Sequence, residues 1–187
     1  MKEELWCESA LFDGEWCDRA MSLLDNPTEG LTFGGKDEKR VSDVQFLERG
    51  EPNHQFLFDA IDPVVDRVNR DIFSFDIYPN GLWFLQLGRY SPGGKYDSHM
   101  DSYLCDAPGN GSYDRKLSFT IQLSDPSWYE GGDMIFDDVG SSHDDMVKRR
   151  ERGAIILFPS FLSHSVAPVT NGTRYSLVGW VMGNAWR

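Results

Sequence analysis

A strict alternation of apolar and polar side chains in the middle of the chain constrains the fold more than any other feature. From position 117 to 123, every second residue is apolar: Leu117, Phe119, Ile121 and Leu123. Successive side chains of a β-strand point to opposite faces, so these residues share one face, which we expect to be buried. The face between them is polar and comprises Ser118, Thr120 and Gln122. It would contact either solvent or a polar cavity.

The residues after position 75 contain further short apolar segments, separated by turns rich in Gly and Pro, and this arrangement is typical of strands. The predicted strands are residues 82–88, 116–124, 134–136, 154–158, 164–169 and 174–182. Many short strands of this kind predict a β-sandwich or barrel, of which the jelly roll is one form.

The first 75 residues have the apolar spacing of amphipathic helices. One helix would begin after Asp13, which is a good N-cap residue, and would stop at Asn26-Pro27. A second helical stretch covers residues 56–72, where Asp62-Pro63 indicates two helices in series. Residues 28–43 are Gly-rich and charged and are predicted to be a loop.

The length of 187 residues suits a single domain over residues 1–187 that is large enough for a sizeable core. In this domain, residues 1–75 would form a helical support and residues 76–187 would form the β core. The fold class expected from the sequence is therefore mainly β with N-terminal helices. The sequence does not specify an oligomeric state.

The charge of the chain excludes some classes of partner. With 30 acidic and 18 basic residues, the formal net charge is −12, which argues against nucleic acid and against anionic membrane surfaces. No apolar run approaches membrane-spanning length, and the first residues do not form a secretory signal. The three cysteines, Cys7, Cys17 and Cys105, are an odd number without metal-ligand spacing. A reduced, cytoplasmic setting is therefore expected.

The pattern with the clearest chemical meaning is His99-Met100-Asp101, followed by His164 and Arg174. On one strand, His99 and Asp101 would point to the same side and bind one metal ion, with His164 supplied by a neighbouring strand. Two imidazoles and one carboxylate suit non-haem Fe(II) that keeps open positions for a co-substrate and O₂. Arg174 would bind a carboxylate through its planar guanidinium. The set predicts an iron enzyme with a dicarboxylate co-substrate such as 2-oxoglutarate.

A second H-x-D motif, His143-Asp144-Asp145, competes for the metal assignment. It lies in an acidic stretch without apolar alternation, which is typical of a solvated loop, so we set it aside. The first motif is preceded by Tyr90 and Tyr96, with a Pro92-Gly93-Gly94 turn between them. Such a turn lets the backbone approach a ligand closely, which favours the first motif as the metal site.

These residues lie within longer motifs that together are specific. They are YSPGGKYDSHMD at residues 90–101, LSFTIQLSDP at 117–126, YEGGDM at 129–134 and FPSFLSHSVAPVTNGTR at 158–174. Over roughly residues 80–183 the chain resembles the prolyl 4-hydroxylase superfamily of Fe(II)/2-oxoglutarate dioxygenases. Within that superfamily it is most similar to the bacterial and phage PKHD-type hydroxylases.

The resemblance implies a double-stranded β-helix, which is a jelly roll, and it assigns roles to individual residues. The implied Fe(II) ligands are His99, Asp101 and His164. Arg174 would pair with the distal carboxylate of 2-oxoglutarate, Tyr90 would hydrogen-bond this co-substrate, and Thr120 would line its pocket. The residues expected to contact the substrate are Tyr96, Tyr103 and Gln122. Gln122 stands where relatives often carry an aromatic residue, and Tyr103 with residues 106–113 would form either a lid or a plain surface loop.

The resemblance also implies the reaction. The enzyme would use O₂ and 2-oxoglutarate to hydroxylate an unactivated C–H bond, releasing succinate and CO₂, with ascorbate as reductant. The expected substrate is a peptidyl proline in a peptide or protein, as for a procollagen-proline dioxygenase. Two alternatives are a free amino acid or other small molecule as substrate, and a jelly-roll binding module without catalytic activity. The intact metal triad and Arg174 disfavour the binding module.

The short segment between His164 and Arg174 carries a register prediction. If both residues lie on the two strands of one hairpin, a plain Asn171-Gly172 turn would point Arg174 away from His164. A three-residue loop, Thr170-Asn171-Gly172, would turn both side chains inward, with Gly172 in the left-handed conformation as a bulge. We therefore expect a positive φ at Gly172.

Overall fold

The chain folds into a large and a small antiparallel β-sheet, with helices packed against the large one. The computed structural model describes residues 5–32, 35, 38–102, 105–107, 111–137, 139–140 and 148–186. The helices are α1 (Gly14–Met21) and α2 (Gln55–Val68), the latter followed by a π-helical turn (Asn69–Phe73). The strands are β1 (Trp6–Glu8), β2 (Thr28–Glu29), β3 (Arg40–Val41), β4 (Asp43–Glu48), β5 (Ile77–Tyr90), β6 (Lys95–His99), β7 (Cys105–Ala107), β8 (Gly111–Gln122), β9 (Tyr129–Gly131), β10 (Met134–Phe136), β11 (Ile155–Pro159), β12 (His164–Val166), β13 (Val169–Gly172) and β14 (Arg174–Asn184).

The strand order shows how the two sheets are built. The large sheet has the order β1-β11-β8-β14-β5-β4-β2, with β7 paired to β8. The small sheet has the order β10-β12-β6-β3, and β13 pairs separately with β9. All of these pairings are antiparallel and mostly non-consecutive in the chain. The predicted mainly β, jelly-roll fold is confirmed.

The hydrophobic core lies between the large sheet and the helices. The apolar face of β8 is fully buried there, at Leu117, Phe119, Ile121 and Leu123. Its partners in the core include side chains of α2 that are also fully buried: Leu57, Phe58 and Ile61. The prediction that this face of the alternating strand is buried is confirmed, and burial of these large side chains is a main source of stability.

The polar face of β8 is also buried, although no helix covers it. Ser118, Thr120 and Gln122 are at most 6% exposed. They lie beside the inward-facing residues of β14, because Gln122 pairs with Ser176 and Thr120 with Val178. The small sheet lies over this face and encloses a polar cavity with it. Of the two environments expected for this face, solvent is therefore wrong, and the cavity is right for Thr120, which lines it.

The helical segments partly differ from prediction. Asp13 caps α1 as expected, since its side chain accepts a hydrogen bond of 2.8 Å from the backbone N–H of Trp16, but the helix ends at Met21. The prediction of two helices in series at Asp62-Pro63 is wrong, because α2 continues through Pro63. Both carboxylate oxygens of Asp62 bind Arg49 instead of capping a helix, at 2.8 and 2.9 Å.

The expectation that residues 1–75 form a support of helices and loops also needs correction. The segment 28–43, predicted to be a loop, contains β2 and β3, and β4 begins at its last residue, Asp43. The strands β1, β2 and β4 join the large sheet, and β3 joins the small one. These strands are short and lack a clear apolar alternation, so their pairing partners, rather than their own sequence, decide their conformation. None of the helices among the described residues is long and apolar enough to cross a membrane.

The predicted hairpin between His164 and Arg174 does not form. His164 lies on β12 in the small sheet and Arg174 on β14 in the large sheet, and β13 between them pairs with β9. The positive φ expected at Gly172 is confirmed, at +71°. Its cause is different, however: a Cβ at Gly172 would lie 1.9 Å from the carbonyl oxygen of Trp128, so the close approach of β13 to β9 requires glycine.

Candidate active site

His99 and His164 lie directly opposite each other on paired strands of the small sheet. β6 and β12 pair antiparallel with His164 in register with His99, and the two ring centroids are 4.3 Å apart. The prediction that a neighbouring strand brings His164 to His99 is confirmed. Because opposite residues of a sheet point to the same face, both imidazoles face the cavity.

Asp101 joins the two histidines by a different route from the one predicted. Strand β6 ends at His99, so Asp101 is not a strand residue two positions further along. Its backbone N–H donates a hydrogen bond of 2.9 Å to the carbonyl oxygen of Ser160, and the N–H of Ser102 donates to the same oxygen at 2.8 Å. These bonds hold the buried Asp101 carboxylate 3.7 Å from Nε2 of His99 and 3.5 Å from Nε2 of His164.

Backbone carbonyls determine which ring nitrogen of His99 and of His164 carries the proton and which keeps a lone pair. Nδ1 of His99 lies 2.9 Å from the carbonyl oxygen of Asp97, and Nδ1 of His164 lies 2.9 Å from that of Leu162. Since a carbonyl only accepts, each Nδ1 carries the proton and each Nε2 is left as an acceptor. This is the arrangement of metal-binding histidines, whose second nitrogen is held by a carbonyl or carboxylate.

Burial keeps the first histidine neutral. Loss of hydration, followed by repulsion from His164, lowers the pKa of His99 from its ordinary 6.5 to about 4. At neutral pH its contact with Asp101 is therefore not an ion pair. One donor atom from each of His99, Asp101 and His164 lies within 4.8 Å of the others. Two imidazoles and one carboxylate could hold a divalent metal ion with open coordination positions.

Aromatic rings fix the orientation of both imidazoles. Tyr96 stacks on His99 with ring centroids 3.6 Å apart and 16° between the planes. Phe158 meets His164 edge to face at 4.8 Å. Burial raises the pKa of Tyr96, so its hydroxyl stays protonated in the physiological range. The triad is thus supported by packing as well as by hydrogen bonds.

The cavity of about 280 Å³ lies between the two sheets. The metal-ligand candidates form part of its wall on the small sheet, and Arg174, Tyr90 and Thr120 belong to its wall on the large sheet. Along β14 the side chains of Arg174, Ser176 and Val178 all face inward, as predicted. The structure therefore places a cationic side chain and the histidine–aspartate cluster in one enclosed space.

Arg174 is buried and held by neutral partners. Its Nε donates to Oε1 of Gln122 at 3.1 Å and its Nη1 to Oγ of Ser176 at 3.5 Å. Its Cζ lies 5.4 Å from the ring centroid of Tyr90, the residue opposite it on β5. Gly132 makes room for this side chain, since a Cβ there would lie 3.0 Å from Cδ of Arg174. A guanidinium with neutral partners in an enclosed cavity could bind a carboxylate strongly.

Gln122, which was expected to contact substrate, lies at some distance from the predicted metal ligands and binds Arg174. It lies behind Arg174 in a smaller cleft rather than on the wall of the main cavity. Its Nε2 donates to the hydroxyl of Tyr129 at 3.1 Å while its Oε1 accepts from Arg174. Gln122 therefore orients Arg174. The residue type gave no signal for this, because the contact depends on the pairing of β8 with β14.

The other predicted residues fall into two groups. Tyr90, Thr120 and Tyr96 line the cavity as expected. Tyr103, residues 108–110 of the possible lid, and the rival motif His143-Asp144-Asp145 lie outside the described residues. The rest of the possible lid belongs to two paired strands, residues 106 and 107 to β7 and residues 111–113 to β8.

The sequence reasoning missed several residues that line the cavity. Arg40 and Gln86 come from β3 and β5, and Arg115 and Trp180 come from β8 and β14. Arg40 lies in the stretch predicted to be a loop, so nothing marked it as a wall residue. Trp180 does lie in a predicted strand, at an even-numbered position shared with Arg174, and that alternation could have identified it.

Comparison with known proteins agrees with this geometry. Residues 85–182 match the 2OG-Fe(II) oxygenase superfamily. A PKHD-type hydroxylase of Synechococcus elongatus is 32% identical over 178 residues, covering 92% of this chain and 75% of the relative. Another, of Parvibaculum lavamentivorans, is 37% identical over 177 residues, covering 94% and 71%. The chain belongs to the 2OG-Fe(II) oxygenase superfamily, and its similar relatives within it are PKHD-type hydroxylases. The predicted cofactors, Fe(II) and 2-oxoglutarate, are confirmed at the level of the family.

Solved structures share the fold. A viral collagen prolyl hydroxylase from Paramecium bursaria Chlorella virus-1, solved as a 2-oxoglutarate complex, has a TM-score of 0.68 at 17% identity, covering 97% of each chain. A prolyl hydroxylase from Trichoplax adhaerens, in complex with a hypoxia inducible factor peptide fragment, has a TM-score of 0.72 at 16% identity, covering 96% of this chain and 84% of that one. At such identities these likenesses show the common jelly-roll architecture.

Proposed function

We propose that this chain hydroxylates an unactivated C–H bond of a peptidyl proline, with Fe(II) bound by His99, Asp101 and His164. 2-Oxoglutarate would be anchored by Arg174 and converted to succinate and CO₂. The observation that carries the proposal is that one cavity contains both the three-residue metal-ligand cluster and a buried guanidinium held by neutral partners. When bound, the iron supplies the activation of O₂ that lets decarboxylation of 2-oxoglutarate drive hydroxylation.

The protein's own contribution is orientation. The rigid histidines offer their Nε2 lone pairs from the small sheet, while Arg174 offers N–H donors from the large sheet. A dicarboxylate that reaches from a metal ion on those histidines to Arg174 would be held at both ends, which would remove most of its orientational freedom. Tyr90 and Thr120 lie on the wall beside Arg174, where their hydroxyl groups can bond the same molecule. No general base is needed in this arrangement.

A peptide substrate is supported by the mouth of the cavity. Three apolar side chains that line it are more than half exposed: Leu31, Phe46 and Met100. Exposed apolar residues at the rim of a site are typical of a surface that binds a larger partner. The two structural neighbours above are a collagen prolyl hydroxylase and a prolyl hydroxylase bound to a hypoxia inducible factor peptide fragment, which supports proline as the target.

A free amino acid is the second candidate substrate. The cavity volume of about 280 Å³ is just below the usual range for small-molecule sites, which favours a substrate as small as a free amino acid beside 2-oxoglutarate. The two candidates differ in what must lie outside the cavity, since only a peptide extends over the apolar rim.

Turnover with defined substrates tests the proposal. The purified protein would be incubated with Fe(II), 2-oxoglutarate, O₂ and ascorbate, and either a proline-containing peptide library or free amino acids. We expect succinate formation to rise with a proline peptide, and the peptide to gain one oxygen atom by mass spectrometry. The variant His164→Ala should lose both signals. Succinate formation that is the same with and without His164 would contradict the proposed metal site, and oxygen gain on free amino acids alone would select the second candidate.

A further inference from the structure

A second buried guanidinium lines the cavity, and the reaction proposed above does not use it. Arg40, on β3 of the small sheet, is 9% exposed and belongs to the cavity wall. Its Cζ lies 4.7 Å from the ring centroid of Tyr96, on the ring that stacks against His99. One aromatic ring therefore separates the charge of Arg40 from a candidate metal ligand, which places Arg40 beside the reacting centre.

The partners that hold Arg40 are neutral. Its guanidinium donates to Oε1 of Gln86 at 2.6 Å, to Oγ of Ser42 at 3.1 Å and to the carbonyl oxygen of Leu31 at 3.2 Å. Gly30 leaves room for it, since a Cβ there would lie 2.7 Å from Nε of Arg40. The ion pairs formed among the described residues do not include Arg40. A charge buried among neutral acceptors is costly to keep, unless an anionic ligand compensates it.

Arg40 and Arg174 lie at different places along the cavity. Arg40 bonds to Gln86, whereas the guanidinium of Arg174 bonds to Ser176, which lies opposite Gly88, two residues further along β5. Two strand residues correspond to about 7 Å. In the proposed function, Arg174 holds one carboxylate of 2-oxoglutarate, and the other end of the molecule lies at the metal-ligand cluster. No carboxylate of the co-substrate is then left for Arg40, so an anionic partner of Arg40 must come from another ligand.

The charges of the residues that line the cavity also favour an anionic substrate. Among the described residues that line the cavity, Asp101 is the one carboxylate, and it belongs to the metal-ligand cluster. The double positive charge of Fe(II) and the double negative charge of 2-oxoglutarate cancel. Arg115, whose Cζ lies 4.1 Å from the ring centroid of Trp180, is a third arginine that lines the cavity, besides Arg40 and Arg174. A basic cavity in a chain of net charge −12 selects for anionic ligands.

We infer that Arg40 binds a carboxylate of the substrate, so that the enzyme acts on substrates with a carboxylate close to the reacting carbon. The inference rests on the proposed function for the reaction itself and adds the substrate class. Two sources share this chemistry. One is the α-carboxylate of a free amino acid, and the other is an aspartate or glutamate beside the target residue of a peptide.

Binding without turnover tests the inference. The Fe(II)- and 2-oxoglutarate-loaded protein would be titrated by calorimetry under anaerobic conditions with two matched pairs of ligands. The first pair is L-proline and L-prolinamide, and the second is end-blocked Gly-Pro-Asp and Gly-Pro-Asn. Charge-assisted hydrogen bonds contribute enough that we expect the acid to bind about tenfold more tightly than the amide in at least one pair. Preference in the first pair identifies an α-carboxylate, and preference in the second identifies an acidic side chain.

Variants assign the preference to Arg40. Arg40→Gln should abolish it, and Arg40→Lys, which keeps the charge, should retain part of it. Arg89→Gln is the matched control, because Arg89 forms a part-exposed ion pair with Asp43 at 2.8 Å and does not line the cavity. Circular dichroism would show whether each variant is folded. If Arg40→Gln does not fold, the acid-over-amide ratio of the wild type and of Arg40→Lys decides the question.

Several outcomes would overturn the inference. They are equal affinity for acid and amide in both pairs, absence of binding by every ligand, and an unchanged preference in folded Arg40→Gln. If Arg40→Gln binds 2-oxoglutarate more weakly but still prefers the acid to the amide, Arg40 binds the co-substrate and not the substrate. Admitting O₂ then separates the two proposals: acid preference without succinate contradicts the reaction alone, and succinate without acid preference contradicts the role of Arg40 alone.

Discussion

Gln122 accepts a hydrogen bond of 3.1 Å from Nε of Arg174, and both side chains are buried. The remaining donors of the guanidinium are thereby directed along the wall of the cavity. Gln122 in turn donates a hydrogen bond to the hydroxyl of Tyr129. The orientation of Arg174 therefore depends on Gln122 and Tyr129, which lie behind it and do not line the main cavity.

Replacing Gln122 by Leu should therefore weaken 2-oxoglutarate binding without affecting the metal. A hydrogen bond to a charged group contributes about 1.5–3 kcal/mol, so we expect at least a tenfold rise in the dissociation constant of 2-oxoglutarate. Titration with 2-oxoglutarate at fixed metal concentration measures this. Gln45→Leu, which removes a similar side chain bound to the loop at Asp25, should change nothing. An equal change of 2-oxoglutarate affinity in Gln122→Leu and Gln45→Leu would show that Gln122 does not position Arg174.

Arg174→Ala should have a larger effect on the same measurement. Loss of a buried guanidinium–carboxylate contact costs about 2–5 kcal/mol, whereas the metal ligands lie on the opposite sheet and should keep their affinity. Arg174→Lys should restore part of the binding, because a single ammonium keeps the charge but not the paired donors. Unchanged 2-oxoglutarate affinity in Arg174→Ala would show that the co-substrate binds elsewhere.

Metal binding should depend on His99 and His164 but not on His54. The first two direct their Nε2 atoms to one point, while Nδ1 of His54 contacts the carbonyl oxygen of Glu48 at the start of α2. Calorimetric titration with Mn(II), which this ligand set also accepts, should give one site per chain in the wild type and in His54→Ala. His99→Ala and His164→Ala should each abolish it. Metal binding that persists in His99→Ala or in His164→Ala would show that the metal site lies elsewhere.

Gly172→Ala should destabilise the protein and also weaken 2-oxoglutarate binding. The new methyl group would meet the backbone of Trp128 at 1.9 Å, which forces β13 away from β9 just before Arg174. We expect a loss of more than about 2 kcal/mol in the free energy of unfolding. Gly50→Ala is the control for backbone strain without a steric clash, since Gly50 has a φ of +97° but no atom within 4 Å of its Cβ position. It should cost about 1 kcal/mol and leave 2-oxoglutarate binding intact. Similar losses of stability in Gly172→Ala and Gly50→Ala would show that the clash with Trp128 is not the cause of the destabilisation.

The buried thiol of Cys17 gives an expectation for alkaline pH. Burial raises the pKa of Cys17 from its ordinary 9.0 to about 11. The folded state therefore keeps a proton that the unfolded state loses, so the free energy of unfolding should fall as the pH rises from about 9 to 11. The variant Cys17→Ala should lack this contribution. Alkylation followed by peptide mass spectrometry should leave Cys17 unmodified at pH 8 in the folded protein, and rapid native alkylation at that pH would contradict its burial.

Local features of the chain were predictable where a single residue or a short period carries the information. The alternation at 117–123 correctly predicted one apolar face, and Asp13 correctly predicted a helix cap. The positive φ at Gly172 was predicted correctly from a wrong hairpin, because the turn chemistry of Asn-Gly does not specify which strands it joins. For the same reason β3 and β4 were not recognised, since short strands take their conformation from their partners.

The identities of the metal-ligand candidates and of Arg174 were contained in the sequence, because residue chemistry and motif spacing are local properties. Only the folded chain decided how they meet. Asp101 reaches the histidines because the carbonyl oxygen of Ser160 holds its backbone, not because it shares a strand with His99. The contacts of Arg174 with Gln122 and of Arg40 with Gln86 join residues 52 and 46 positions apart. Such contacts depend on which strands pair and in which register, and a pattern within a single strand carries no information about its partner.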